Sequence, residues 1–410
     1  MRDAYRGLTL RGRAFVAAGG TALVCAMFFQ TPGLAAIGVF LLALPLLTVL
    51  WLGTGAQQVT LTRALSRAAV PVGQSVEVTL SVRNDGPMAR GTLLLEDKVG
   101  FALGARPRFV VDDLDRNVTR TLRYQVRADV RGRYLIGPLT VRINDGLGLV
   151  DMARSFTGSA ALIVTPRPVR LPPVALRAEV SGSGDTRPRS FAVGSAEDVT
   201  VRDYRRGDDL RRVHWRSTAR VGELMVRREE RPWQARATVL LDNRVDSHRG
   251  AGAASSLEPA VTAAASVASH LLQAGFSTRL VTAAGATSGT GFSAPGSSDL
   301  AIMESLAMTP AIDLAMVDLS WLGDYDSGGL VIAVVAGLSQ ADAAVMRRLS
   351  SHAGTCLALV VDTAGAESAR DTVRLLDHSG WRAARIGRGE RIEQGWRETG
   401  LAQLSRRVRS

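Results

Sequence analysis

Arginine, carboxylate and imidazole side chains crowd into one stretch, Val201 to Glu230, which reads VRDYRRGDDLRRVHWRSTARVGELMVRREE. Nine arginines and six acids there surround Tyr204, Gly207, His214 and Trp215. Planar guanidinium forks recognise phosphate or carboxylate through paired hydrogen bonds, which would make the stretch an anion site or a docking surface. The same charges can instead satisfy one another. Arg202, Arg211 and Arg220 would then pair with Asp203, Asp208 and Glu223 in an internal lattice, with Trp215 filling a core. A hydrolase or nuclease using Asp208 and His214 is the alternative chemistry. It needs a nucleophile, an adjacent base and an orienting group, and His214 beside Ser217 and Asp208 on one short helix does not supply that arrangement by spacing alone.

The local pattern predicts how these residues are held. Gly207 gives a free turn, and Asp208 can cap a helix by accepting from backbone N–H groups two or three residues on. Leu210, Val213 and Ser217 fall on one helical face, Gly222 ends the element, and Leu224 to Val226 reads as a strand. Upstream, Pro166, Pro168, Pro172 and Pro173 break regular structure, and Ser181 to Asp185 reads as a loop.

The N-terminal region is of another kind. Ala14 to Phe29 and Gly33 to Leu52 are uncharged and apolar, separated by Gln30, Thr31 and Pro32. A helix needs roughly 20 apolar residues to cross a bilayer, so the two runs predict a transmembrane hairpin. Arg2, Arg6, Arg11 and Arg13 precede it, Arg63 and Arg67 follow it, and the turn carries no charge. The positive-inside rule then places both ends, and everything after Leu52, in the cytoplasm. Beyond it, short alternating runs such as Ser75–Val82, Thr119–Val126 and Leu139–Ile143, parted by turn signals, predict an antiparallel β-sandwich. From Ala235 the chain alternates strands and helices: strands at 238–242, 277–282, 330–335, 355–362 and 381–386, and helices at 257–273, 298–308, 340–350 (capped by Ser339), 368–377 and 391–408. This grammar predicts a mainly parallel α/β doubly wound sheet covered on both faces.

Composition narrows the function classes. Basic residues exceed acidic ones, 50 against 38, and all but Lys98 are arginine. With abundant Ala, Gly and Val this fits codon bias and membrane orientation, and no basic–aromatic module argues for nucleic acid. Two cysteines, Cys25 and Cys356, form neither a disulfide framework nor a metal cluster. The single lysine excludes a Gly-Lys-Ser/Thr phosphate loop.

Arg202, Asp203, Tyr204, Gly207, Asp208, Arg211, His214, Trp215, Ala219, Arg220, Gly222, Glu223, Leu224 and Val226 together resemble the signature of domain of unknown function family 58, bacterial membrane proteins. The resemblance covers nearly the whole chain. It implies a sheet domain after the membrane, with RGRYLIGPLTVRINDGLGL as its closing hairpin, and a MoxR-type AAA+ ATPase as partner. The strand order with Asp242 ending the first C-terminal strand resembles the von Willebrand factor A fold. Metal-binding members of that fold carry Asp-x-Ser-x-Ser there; this chain has Asp242-Asn243-Arg244-Val245-Asp246. A guanidinium repels a divalent cation, so no metal and no cofactor is expected, and Asp242 is expected to cap or pair locally.

The resulting expectation is a multidomain chain: residues 1–56 tail and transmembrane α-hairpin, 57–170 antiparallel β-sandwich, 171–234 linker and signature, 235–410 von Willebrand A-like α/β domain. It would be a multi-pass protein of the inner membrane, working as an adaptor or assembly factor through protein–protein interaction. Arg202, Tyr204, Gly207, Asp208, Arg211, His214, Trp215, Arg220 and Glu223 are its candidate interaction residues, and none is assigned to catalysis.

Overall fold

The computed structural model describes residues 7–55, 59–85, 92–112, 114–144, 147–174, 201–204, 213, 215–227, 236–286, 291–297, 299–324, 329–363, 365–387 and 392–405. They fall into two compact units, Met1–Pro166 and Arg167–Ser410.

The first unit begins with two apolar helices, α1 (Leu10–Phe29) and α2 (Pro32–Gly55). Helix α1 starts before the uncharged run because the Thr9 hydroxyl accepts the Gly12 N–H at 3.2 Å, which brings Arg11 and Arg13 into its first turns. Gln30 in the left-handed region turns the chain, and Pro32 opens α2 at the position where a missing N–H costs nothing. The helices approach at two glycines. A methyl group on Gly19 would lie 3.0 Å from the Gly38 carbonyl oxygen, and one on Gly38 would lie 3.0 Å from that of Gly19. Both helices are long and apolar enough to cross a membrane, and their outer faces are bare, Met27 and Phe28 each being 82% exposed. The foot of the pair is fastened within the unit. The Thr9 N–H donates to the Leu149 carbonyl at 3.0 Å, and Leu149 and Val150 are buried against Leu8, Phe15, Leu44 and Val49.

Ten strands follow: β1 (Val59–Leu65), β2 (Ala69–Pro71), β3 (Ser75–Asn84), β4 (Thr92–Asp97), β5 (Arg108–Val111), β6 (Thr119–Arg127), β7 (Gly132–Ile136), β8 (Leu139–Asn144), β9 (Asp151–Phe156) and β10 (Ala160–Thr165). They form three sheets, ordered β1-β3-β6, β2-β10-β7 and β5-β4-β8-β9, antiparallel except for the β2–β10 pair. Strict alternation puts Val76, Val78, Leu80 and Val82 of β3 on one buried face. Its first half packs with Ile136, Leu162 and Val164, and its second half with Leu93, Leu95 and Val141. Within 131–149, where the closing hairpin is expected, the first two strands do not pair with each other. Strand β7 pairs with β10, while β8 pairs with β4 and β9. Gly137, at a φ of 111°, and Pro138, without an N–H, turn the chain from one sheet to another. The Gly137 N–H donates to the Lys98 carbonyl at 2.7 Å, and the Lys98 N–H donates to Pro138 at 3.1 Å. Inside this unit Asp97 is fully buried, bound by the Arg63 guanidinium (Nε at 3.2 Å) and the Tyr124 hydroxyl. Burial and then this hydrogen bond raise the Tyr124 pKa.

The second unit opens with residues 167–174, which lie along its own core. Leu171 is buried there, the Val169 N–H donates to Ser266 Oγ at 2.9 Å, and the Trp396 indole donates to the Pro172 carbonyl at 3.0 Å. Next come β11 (Val201–Asp203), α3 (Trp215–Val221) and β12 (Met225–Arg227), with β11 and β12 antiparallel. The remainder runs β13 (Arg236–Leu241), α4 (Leu257–Gln273), β14 (Ser277–Thr282), β15 (Gly285–Ala286), α5 (Leu300–Met308), β16 (Leu330–Val335), α6 (Asp342–His352), β17 (Thr355–Val361), α7 (Ala366–His378), β18 (Arg382–Ile386) and α8 (Ile392–Ser405). Six strands make one sheet, ordered β15-β14-β13-β16-β17-β18, parallel except for the two-residue edge β15. Continuous Val, Leu, Ile and Ala runs suit strands covered on both sides. Val239, Leu241, Ile332 and Leu359 face α4, α5 and Trp396, while Leu240, Val331, Ala333 and Ala358 face Met346, Leu349, Leu376 and Trp381. Burial pushes the Cys356 thiol in β17 up to about 12, which removes it as a nucleophile at neutral pH.

His270 on α4 stands edge-on to the Trp396 ring, with centroids 5.3 Å apart. Burial lowers its pKa below the ordinary 6.5, and a hydrogen bond to the Leu171 backbone only partly opposes this. The unfolded chain therefore takes up this proton at a higher pH than the folded one. The stabilisation is full above the ordinary value and is lost as pH falls from there toward the lower folded value. The urea midpoint of the full chain should accordingly drop on acidification below about pH 6.5, and His270→Gln should flatten that drop. Identical pH profiles for the two proteins would reject the assignment to His270.

Candidate functional site

The signature segment is held by backbone bonds. Arg202 stands opposite Val226 in the β11–β12 ladder, and the Tyr204 N–H donates to the Leu224 carbonyl at 2.8 Å. Val213, 7% exposed, makes a β-bridge to Val226, so the chain at Val213 is extended and the helix begins only at Trp215. This corrects the expectation of one helical face running from Leu210 through Val213 to Ser217: the β-bridge with Val226 takes the backbone bonds a helix would need. The turn after α3 closes at Gly222, φ 82°, whose N–H donates to Thr218 at 2.9 Å, while Thr218 Oγ1 accepts the Met225 N–H at 3.0 Å.

Trp215 does not fill a core. It is 69% exposed, Val221 59% and Leu224 39%, and α3 buries no residue. Arg220 and Glu223 are exposed too, and among the described residues no ion pair joins them. The backbone of Arg202 is described; Gly207, Asp208, Arg211 and His214, and with them the Asp208 cap and the Asp208/His214 chemistry, lie outside the described residues.

The densest polar cluster lies elsewhere, at the carboxyl end of β13. The strand order reverses there: β14 lies on one side of β13 and β16 on the other. Asp242 (0% exposed), Arg244 (4%) and Asp342 (1%) are all buried. Arg244 Nε donates to Asp242 Oδ1 and Nη2 to Oδ2, both at 2.9 Å, a bidentate pair. Nη1 donates to Asp342 Oδ1 at 2.8 Å and to the Ala315 carbonyl at 3.2 Å. Ser247 Oγ donates to Asp242 Oδ2 at 2.9 Å. Asp342 Oδ2 accepts both the N–H and the hydroxyl of Ser339 at 2.8 Å. Burial alone would lower the Arg244 pKa, but the bonds and charge of Asp242, then of Asp342, outweigh it and raise the value above the ordinary one. Asp242 thus pairs locally, with the residue two positions on.

Ser339, expected to cap the helix, meets it as a donor to Asp342, and α6 starts at Asp342. The positive end of α6 adds to the charge that holds the Asp342 carboxylate. His248 completes the loop. Its Nε2 donates to the Asp242 carbonyl oxygen, which can only accept, at 2.7 Å, and its Nδ1 lies 3.1 Å from the Ser256 hydroxyl. Ser256 Oγ also takes the Arg249 N–H at 3.0 Å, so this contact orders the loop. Ser247, His248, Ser339 and Asp342 are site residues that motif reading passed over. The one signal for them was Ser339-x-x-Asp342, the spacing of a reciprocal helix-start bond.

Removing one partner of a buried ion cluster strands the others. Asp342→Ala should destabilise the chain by about 3–5 kcal/mol, and Ser247→Ala by only about 1 kcal/mol. Denaturant titrations of both variants check this ranking, and equal, small losses would contradict it.

No curated protein matches the sequence. Solved structures give loose overlaps. They include the CARDB domain of a Pyrococcus furiosus protein in complex with di-metal ions (14% identity, TM-score 0.21, 27% of this chain and 94% of that one). They also include the Pseudomonas fluorescens alkylpurine DNA glycosylase AlkC (13%, 0.19, 33% and 39%) and the Bacillus subtilis sporulation control protein Spo0M (14%, 0.17, 27% and 51%). Scores this low carry no statement about fold or activity. The resemblance read from the sequence spans nearly the whole chain, whereas the family match is narrower, running from β11 past the end of β17. Residues 200–364 match the family described as "Protein of unknown function DUF58".

Proposed function

We propose that this protein is a membrane-anchored, cytoplasm-facing adaptor or assembly factor that acts through protein–protein contacts, with a MoxR-type AAA+ ATPase as its partner class. The observation that carries the reading is the exposure of Trp215, together with Val221 and Leu224, in the segment by which the family is recognised. Tryptophan and arginine dominate the energetics of protein interfaces, and an exposed Trp beside Arg216 and Arg220 fits a docking surface better than an internal lattice. A second feature agrees. Exposed Val245, Leu314 and Met316 lie on the two segments that cross the carboxyl end of β13, where open α/β sheets receive their ligands.

The strand order, with an antiparallel edge beside five parallel strands, supports a von Willebrand A-like reading of the C-terminal region. The antiparallel sheets after the hairpin support a β-sandwich. The bare apolar faces of α1 and α2 support a lipid-embedded hairpin, and the arginines flanking it support an inner-membrane protein with both ends in the cytoplasm.

Two experiments test this reading. Crosslinking from native membranes should recover the ATPase with the wild-type chain, and Trp215→Ala should lose it by 10-fold or more, as expected for the loss of roughly 1.4 kcal/mol or more at a hot spot, while the urea midpoint stays unchanged. Full recovery with Trp215→Ala would remove this surface from the account. A cytoplasm-only reporter fused after Ser410 should be active, and silence would reverse the orientation.

A further inference from the structure

The residues around Asp242 invite a cation. The carboxylates of Asp242 and Asp342 meet on Arg244, and the Ser247 hydroxyl binds Asp242 beside them, each of the three oxygen-bearing residues being at least nine-tenths buried. A hard divalent ion takes such an oxygen set, and the von Willebrand A pattern would place one here. The residues present do not fit that ion. Position 244, where the pattern supplies a hydroxyl, supplies a guanidinium, and Asp246, at the second hydroxyl position, is exposed to solvent. Arg244 spends Nε, Nη1 and Nη2 on the two carboxylates, and Nη1 also on the Ala315 carbonyl.

We propose that Arg244 is an internal substitute for a divalent cation, tying the end of β13 to the start of α6 and making the site permanently closed and independent of metal. Three properties follow from the geometry. The bridging charge is covalently attached, so chelation cannot empty the site. It is 4% exposed, so it offers no open coordination position to an acidic group on a partner. The oxygen set it occupies is itself competent for a metal, so removing the guanidinium should uncover a cation site. A partner that docks at this end of the sheet must then do so through other contacts, without a metal bridge.

The test uses the full chain in detergent or nanodiscs, titrated with Mn²⁺ by calorimetry and unfolded thermally with Mn²⁺ or with EDTA. The wild type should give no binding heat and the same Tm in both. Arg244→Ser should have a lower Tm in EDTA, bind one Mn²⁺, and gain about 5 °C or more once Mn²⁺ is ~100-fold above its Kd. Arg244→Ser combined with Asp342→Asn should lose that binding, and Arg244→Lys should fold without acquiring it. If Arg244→Ser does not fold in EDTA, expression or refolding with Mn²⁺ should restore it. Cation binding by the wild type overturns the proposal. So does failure of Mn²⁺ either to bind or to rescue Arg244→Ser while Arg244→Lys folds, and so does undiminished binding by the double variant.

Discussion

Two carboxylates buried at the end of a parallel sheet need a counter-charge, and most of the loop structure of the second unit follows from how this chain supplies it. Desolvating a carboxylate costs several kcal/mol, and attraction in the interior compensates only when the geometry is close and every lone pair is used. Here each oxygen is used. Arg244 reaches both acids, Ser247 takes the outer side of Asp242, and Ser339 takes the far side of Asp342. The 310–316 segment is drawn over the site through the Ala315 carbonyl and the bridge between Arg244 and Ile312. His248 then fixes the next turn through the Asp242 carbonyl. The first unit solves the same problem differently, burying Asp97 against Arg63 and the Tyr124 hydroxyl between sheets. In both clusters the buried carboxylates are held by an arginine.

The two units also meet different demands on backbone polarity. Helices α1 and α2 satisfy their own N–H and C=O groups, which frees the surfaces of their uncharged runs to be apolar and lets glycines bring them together. The second unit covers both faces of a sheet with helices, and its parallel edge beyond β14 is closed by the two-residue β15. So short an edge strand leaves little unpaired backbone to recruit another chain.

Periodicity made much of this legible. The predicted strands at 277–282 and 330–335 and the helix at 257–273 coincide with β14, β16 and α4, because long, uniformly apolar or amphipathic runs leave little choice. Failures occurred where a local pattern competed with a tertiary partner. Strand β7 alternates like one arm of a hairpin with β8, yet it gains its ladder from β10, nearly thirty residues on. Val213 fits a helical face but bonds across to Val226. Trp215 is large and apolar, the type most readily assigned to a core, and its exposure depends on where α3 ends up in space. Asp342 was invisible as a partner of Asp242 because nearly a hundred residues separate them. The local part of the cluster, Asp242 with Arg244, could be read from spacing; its bridge to α6 could not.

The stretch 167–174 has a meaning that reaches beyond packing. Leu171 and the Pro172 carbonyl complete a core whose far wall is Trp396, and both lie outside residues 200–364. The portion of the chain that matches the family and the portion that folds as one body are therefore not coextensive. A fragment cut to the matched limits would lack the strap before it and α7, the edge strand β18 and α8 after it, leaving the sheet short of a strand and its core open.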